Sequence, residues 1–369
     1  MANSNLTNAK KAKNDEFYTQ YGDIQKEIEA YLEYNPNVFR GKVVYCNCDD
    51  PYESNFFRYF VLNFNKLGLK QLITTSYKPS PVANTQLALF GDDATLAKEK
   101  GRPKINANKF IINVVGDLDG DGEFNLKDVA KQLKANKHNE WTPLNGDGDF
   151  RSDECVNLLK QSDIVVTNPP FSLFKEYVKQ LFEHNKKFVI IGNKNCVTYK
   201  EIFPLIKDNK MWSGKTEWSG GLWFVTMDNT DVDKVVDGVN MKNVSSVWFT
   251  NIDHGRRHQP LPLMTMEENL KYSKHKEIKG KKAYDKYDNY DAIEVPFTDS
   301  IPSDYDGVMG VPISFLDKYN PDQFEILGAT ESEGKGFSNG LWDEKSKVSQ
   351  PLVGSERVYK RIFIKHKKK

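Results

Sequence analysis

Four cysteines and six histidines are few for 369 residues. Cys46 and Cys48 stand two apart, which is not a zinc-ribbon spacing, and Cys155 and Cys196 lie in apolar or strand-like surroundings. Buried free thiols in a reducing compartment are therefore expected, rather than a disulfide framework. No apolar run reaches membrane-spanning length, and Met1-Ala-Asn-Ser-Asn-Leu-Thr7 has no signal-peptide core, so the expected location is the cytoplasm. Net charge is scarce as well. The 52 Lys+Arg against 51 Asp+Glu leave +1, which neither demands nor excludes nucleic acid and leaves such binding to a local basic face.

What is present is enough apolar residue for two cores: 38% apolar and 12% aromatic over a length that suits two domains. Residues 1–13 are polar and lysine-rich, and Asn14–Gln20 follows. Asp23 can cap a helix with Ile24, Ile28, Tyr31 and Leu32 on one face, ended by Asn35-Pro36. Val43–Cys48 reads as a strand, then come an acidic turn (Asp49–Asn55), a helix Phe56–Leu67 stopped by Gly68, and a strand Gln71–Ser76. This order opens a parallel, doubly wound α/β sheet, in which the turn after the first strand receives nucleotide-like ligands. Further strands are expected at Lys109–Val115, Asp163–Thr167 and Lys187–Gly192, and helices at Asp153–Gln161 and Ser172–His184. Gly220–Thr226 and Val244–Asn251 read as neighbouring strands of an edge hairpin joined by a polar loop. The domain boundary is placed near residue 255, with an insertion at about 79–145 in the first domain. Beyond it lie His254-Gly-Arg-Arg-His258, a lysine-rich stretch Lys271–Lys286 interleaved with tyrosines, and two apolar segments, Phe324–Leu327 and Val358–Ile364, that suit a small mixed sheet.

Inside the insertion, Asp117-Leu-Asp-Gly-Asp-Gly-Glu-Phe-Asn-Leu-Lys-Asp128 has carboxylates at loop positions 1, 3, 5 and 12 and Gly122 at position 6, the pattern of a calcium loop. It departs from an EF-hand in ending on Asp and in being entered from a strand. A structural calcium and a solvated acidic turn capping the helix Asn125–Ala135 both stay open, and no metal ligand is assigned.

The stretch with the clearest chemistry is Asp163-Ile-Val-Val-Thr-Asn-Pro-Pro-Phe171. An apolar strand runs into Asn168. Pro169 and Pro170 then stop it, because neither has an N–H for a neighbouring strand. An amide, a rigid turn with free carbonyls and an aromatic face suit a flat ring bearing an exocyclic amine. Such an amine is a poor nucleophile because its lone pair is delocalised. The Asn168 side-chain oxygen and the Pro169 carbonyl can bind its two hydrogens and aim the lone pair, with Phe171 stacked on the ring. The ordinary activated methyl donor is S-adenosylmethionine. Asp50 and Glu53 in the first turn are placed to meet its ammonium or ribose hydroxyls, and Asp149 and Phe150 its adenine.

Lys13–Gln20, Cys46–Phe57, Gly148–Cys155, Asp163–Phe174, Phe188–Tyr199 and Gly310–Ile326 resemble, in order, the blocks of the EcoRI-type adenine-specific DNA methyltransferase family. The likeness covers most of the chain and is weakest at about 79–145. It implies a class I methyltransferase, a Rossmann-like doubly wound sheet in residues 1–255, and a smaller α+β target-recognition region in residues 256–369. It implies that Phe17, Tyr18 and Thr19 line the methionine end of the cofactor, that Asp50 and its neighbours replace the usual Gly-rich loop, and that Asp149 and Phe150 touch the cofactor adenine. Asn168, Pro169, Pro170 and Phe171 become the catalytic tetrad. The chain has no Phe-x-Gly-x-Gly at the first turn, a departure from methyltransferases outside this family. The implied reaction is methylation of adenine N6 within a short sequence of double-stranded DNA, by base flipping and direct in-line attack. A restriction endonuclease reading the same site without a stable complex is the implied second partner, and a monomer is expected. Base-reading side chains are sought at His254–His258, Lys271–Lys286 and around Gly334–Asn339. The same tip would also hold a guanine N2 amine in RNA or a glutamine amide, and a decayed, non-enzymatic binding module is the remaining class.

Overall fold

Val43–Cys46 and Ile164–Thr167 have no alternation of polar and apolar residues, so each must be covered on both faces. Both are fully buried and run parallel as neighbours, with Val44 opposite Ile164. The computed structural model describes residues 18–48, 54–77, 107–118, 120, 122, 124–135, 138–226, 231–331 and 336–367. The chain forms two units. The first comprises the residues up to Lys194 together with Ser219–Asp253, and the second Asn195–Trp218 together with His254–Lys369.

In the first unit the strands lie in the order Glu140–Pro143, Asn108–Ile112, Gln71–Thr75, Val43–Cys46, Ile164–Thr167, Lys187–Asn193, Ser246–Thr250. The four central strands from Gln71–Thr75 to Lys187–Asn193 are parallel, and each of the three outer ones pairs antiparallel with its neighbour. The chain is thus a mixed α/β protein. Helices cover the sheet with their apolar faces: Tyr21–Tyr34 buries Ile24, Ile28 and Tyr31, and Asn55–Leu62 buries Phe56, Phe57 and Phe60. The expected single helix 56–67 is two helices. At Asn63 the side-chain amide donates to the Tyr59 carbonyl at 2.8 Å, and a separate turn, Phe64–Leu67, follows. Gly68 ends it in the left-handed conformation (φ 63°).

The expected edge hairpin does not form. Leu222–Val225 instead joins a separate antiparallel sheet ordered Tyr18–Thr19, Leu222–Val225, Val239–Val244, Lys234–Val236. Ser246–Thr250 alone pairs with Lys187–Asn193 in the large sheet. The reason is local. Asp237 and Gly238, both at positive φ, make a two-residue turn that folds the supposed polar loop into strands of its own.

The second unit holds a mixed sheet ordered Ile293–Glu294, Met309–Pro312, Arg361–His366, Phe324–Ala329, with only the first pair parallel. The two expected apolar segments are its last two strands and pair with each other. Arg361 and Glu294 lie inside this unit, each under a tenth exposed, and pair at 2.5 Å. The Tyr287 hydroxyl also donates to Glu294. Among the described residues no helix is long and apolar enough to cross a membrane.

Candidate active site

In a parallel sheet the loops leaving the C-terminal ends of the strands gather at one edge. Here Asn47 follows Val43–Cys46, Ser76 follows Gln71–Thr75 and Asn168 follows Ile164–Thr167. The Thr167 hydroxyl donates to the Asn47 carbonyl, and the Tyr177 phenol donates to Asn47 Oδ1. Gly148 stands at φ 80°, and a Cβ there would lie 1.9 Å from the Ser76 carbonyl oxygen. Only glycine lets the following residues approach this edge. Phe150 then meets Tyr177 edge-to-face at 5.0 Å, and Gln180 Nε2 donates to the Phe150 carbonyl at 3.1 Å. The Asn168 tip and the Asp149–Phe150 loop are therefore joined through Tyr177.

At the tip, Asn168 and Pro170 are half-buried and Pro169 is buried. The Pro170 carbonyl accepts the Leu173 N–H at 3.0 Å, opening a 3-10 turn at Phe171–Leu173 before the helix Phe174–Glu183. Phe171 is half-buried against the core of the first unit. The Cβ of a residue at position 192 would lie 2.5 Å from the Phe174 ring, so Gly192 lets the start of this helix settle on the sheet.

Asp149 forms a bidentate pair with Arg151, with Oδ2 to Nη2 at 2.7 Å and Oδ1 to Nε at 2.9 Å. Partial burial raises its carboxyl, but the Arg151 hydrogen bonds and charge outweigh that and hold it below the usual carboxylate range. Arg151 also reaches Glu176 at 3.0 Å. Thr19 is buried, and its carbonyl accepts the Asn55 amide at 2.8 Å. Its hydroxyl has no hydrogen-bond partner among the described residues. Tyr18 is half-buried beside it, paired with Val225 in the ladder. Phe17, Asp50 and Glu53 lie outside the described residues. On one side of the latter two, Cys48 stands at φ 63°. On the other is Ser54, whose hydroxyl caps the next helix by accepting the N–H groups of Phe56 and Phe57 at 3.1 and 3.2 Å.

Sequence reasoning missed Asn47, Asn55 and Tyr177. A signal existed for two of them: a tyrosine on an inward helix face and an asparagine inside an apolar run each need a partner.

The acidic loop of the insertion spends its described carboxylates on its own backbone. Asp117 accepts from Gly120 and Gly122 at 2.7 and 2.8 Å, and buried Asp128 accepts from Leu118 and Asn125, both at 2.9 Å. Asp119, Asp121 and Glu123 lie outside the described residues. Asp128 thus ties down the start of the helix Leu126–Ala135, and nothing in these contacts supports calcium.

The basic blocks of the second unit also differ from expectation. His254 Nε2 bonds the Ser213 carbonyl at 2.9 Å, Arg256 pairs with Asp317 at 2.9 Å, and His258 faces Asp322 at 3.0 Å. Arg257 stacks 3.7 Å over Trp212 and donates to Asn209. These side chains build the unit and are engaged within it. In the lysine stretch Tyr284 and Tyr287 are buried, leaving Tyr272 as the exposed ring. Gly334 lies outside the described residues. The part of its loop that follows is tied to Glu331, which accepts from the N–H and hydroxyl of Ser338 at 3.0 and 2.6 Å.

A family model described as "Adenine-specific methyltransferase EcoRI" matches residues 5–367. The chain belongs to this family. It is similar to the Type II methyltransferase M.EcoRI of Escherichia coli, with 41% identity over 374 residues, covering 99% of this chain and 97% of that protein. It is also similar to M.MpnI of Mycoplasma pneumoniae, 38% identical over 86% of this chain and 83% of that one. M.MgeORF184P of Mycoplasma genitalium is 34% identical over 97% of each. No solved structure matches. As a member of the EcoRI methylase family the chain is an enzyme, a site-specific, adenine-specific DNA methyltransferase.

Proposed function

We propose that this EcoRI-family enzyme transfers a methyl group from S-adenosylmethionine to the N6 amine of adenine within a short sequence of double-stranded DNA. The observation that carries the reading is the Asn168–Phe171 tip. It leaves the parallel strands at the edge where Asn47, Tyr177 and Phe150 meet. The strand order, four parallel strands with antiparallel edges, supports a class I Rossmann-like layout.

The residues fit the donor. Thr19 has a buried hydroxyl without a partner among the described residues and sits where Asn55 fixes it against the helix that follows the first parallel strand. Asp149 is held ionised, next to the ring of Phe150. Thr19 with Tyr18 and Phe17 would hold the methionine end, Asp50 and Glu53 the ammonium or ribose, and Asp149 with Phe150 the adenine. When bound, S-adenosylmethionine supplies an electrophilic methyl group on a sulfonium.

The protein's part is orientation. Asn168 Oδ1 and the Pro169 carbonyl accept the two hydrogens of the target amine, which pulls the nitrogen toward a tetrahedral shape and aims its lone pair in line. Phe171 stacks on the base, and Pro170 keeps the turn rigid. No side chain needs to remove a proton before transfer, because the amine proton becomes acidic only once the fourth bond forms. A base inside duplex DNA cannot reach such a tip, so the adenine is flipped out at a cost of about a few kcal/mol, offset by protein contacts. The second unit reads the surrounding sequence. The enzyme works as a cytoplasmic monomer in a restriction–modification setting, with a cognate endonuclease of the same specificity as a separate protein.

The test is incubation with labelled S-adenosylmethionine and mixed duplex DNA, followed by nucleoside analysis. N6-methyladenine is expected. Asn168→Ala should lower the single-turnover rate by about 10²–10³, the usual loss for one positioned polar group at a reacting centre, and Phe171→Trp should lower it less. Full activity in N168A, or the reverse order of the two variants, would refute this division of labour.

A further inference from the structure

The helix Phe174–Glu183 turns four side chains inward: Phe174, Tyr177, Val178 and Leu181. Three are hydrocarbon. The fourth carries a hydroxyl, and a phenylalanine would fill the same core volume without it. Among the described residues the hydroxyl has one hydrogen-bonding partner, Asn47 Oδ1, and the Asn47 carbonyl is in turn the acceptor for Thr167, the residue immediately before Asn168. The ring of Tyr177 meets Phe150, next to Asp149, and Gln180 on the same helix holds the Phe150 carbonyl. Asn47 itself stands just past the end of the strand Val43–Cys46. Thr167, Asn47, Tyr177 and Phe150 are each at most 4% exposed, so water does not compete for these contacts. Burial raises the Tyr177 phenol well above its ordinary value, so it stays a donor throughout the working range.

We propose that Tyr177 is a positioning residue that couples the two halves of the site: its hydroxyl sets Asn47, and with it Thr167 and the catalytic tip, while its ring sets Phe150 and the donor-side loop. This rests on the reading of methyl transfer at Asn168. The Thr167 bond fixes the end of this strand against the end of its neighbour, which continues directly into Asn168, and the Tyr177 bond fixes it against the helix. A displacement of Asn47 therefore moves Asn168, and a Tyr177 ring released from Asn47 no longer holds Phe150 in place. Without the phenol, Asn47 Oδ1 is left buried with no donor among the described residues, and moving the strand end relieves this.

The test uses the full chain and three variants: Tyr177→Phe, Asn47→Ala and the double variant. Affinity for S-adenosylhomocysteine is read by calorimetry, affinity for duplex DNA by anisotropy, and single-turnover transfer on a duplex that the unmodified enzyme methylates. Y177F is expected to lower the transfer rate about tenfold and weaken S-adenosylhomocysteine several-fold, with duplex affinity unchanged. N47A should do the same, and the double variant should be no worse than either alone, since both remove one link. A residue that only fills the core would lower thermal stability while leaving the analogue affinity and the rate of the folded fraction intact. Y177F with both at the level of the unmodified enzyme overturns the proposal, as do losses that multiply in the double variant. Should Y177F not fold, N47A carries the same comparison, and its retaining both values overturns the proposal. If the unmodified enzyme methylates no adenine in DNA, the proposed function fails instead. The calorimetric arm then decides the coupling alone: an unchanged S-adenosylhomocysteine affinity in both variants overturns it.

Discussion

The two units keep their polar residues in opposite places. In the first, the central strands Val43–Cys46 and Ile164–Thr167 are buried throughout, and the polar side chains that matter (Asn47, Ser76, Asn168) stand just past the strand ends, at one edge. In the second, a charged pair lies within the unit itself: Arg361 donates to both oxygens of Glu294 and to the carbonyls of Tyr359 and Lys360, with the Tyr287 hydroxyl on the same carboxylate. Gly310 makes room for that tyrosine, since a Cβ there would lie 2.2 Å from its hydroxyl. Apolar layers cover the central strands of the first unit, which leaves its polar edge for the proposed chemistry. The second spends polar groups on its own integrity, so the same kind of substitution should register there as unfolding.

The largest expected effect is therefore in the second unit. Glu294→Ala leaves Arg361 buried without its counter-charge and should cost about 3–5 kcal/mol in chemical denaturation. A loss below about 1 kcal/mol, the level of an exposed pair, would erase the contrast between the units. Next comes Gly148→Ala in the first unit. The added Cβ meets the Ser76 carbonyl at a positive φ, and overpacking of this kind costs about 1–3 kcal/mol. Because the strain falls at the edge, S-adenosylhomocysteine affinity should drop more steeply than melting temperature, and the opposite ranking would place Gly148 in the structural class. The smallest effect is in pH. The Asp149 carboxyl is held below its ordinary value, so its contribution is complete above about pH 4 and is lost as pH falls through the lowered folded-state value. The pair is substantially exposed, which keeps the contribution small. Asp149→Asn should flatten the acid limb of the melting curve against pH, and identical acid limbs in both proteins would remove this pair from the account.

Much of the first unit was legible because its signals are local. A continuous apolar run bounded by prolines gives the strand and the tip at Asn168 without reference to the rest of the chain. Asp153–Gln161 could be read to the residue because Ser152 caps it, accepting the Cys155 N–H. Much of what failed depends on distant partners. Leu222–Val225 pairs with Tyr18–Thr19, at the other end of the unit's sequence, and nothing near residue 222 says so. His254–His258 looks like a free basic patch until Ser213, Asp317, Trp212 and Asp322 are brought beside it. The Tyr177–Asn47 bond lies in the same class, although an inward tyrosine announces that some acceptor must exist.

The chain leaves the first unit after Lys194, returns at Ser219, and leaves again after Asp253. The excursion is integral to the second unit: Trp212 lies under Arg257, and Asp317 accepts the Trp218 N–H at 3.1 Å. During synthesis these residues emerge long before their partners. The first unit, for its part, cannot close its sheet edge until Ser246–Thr250 has been made. The second unit is accordingly no portable cassette. A fragment begun at residue 256 would lack the Trp212 ring and the Lys215 carbonyl that its own arginines need, and a graft onto another methyltransferase would have to carry two separate stretches of chain.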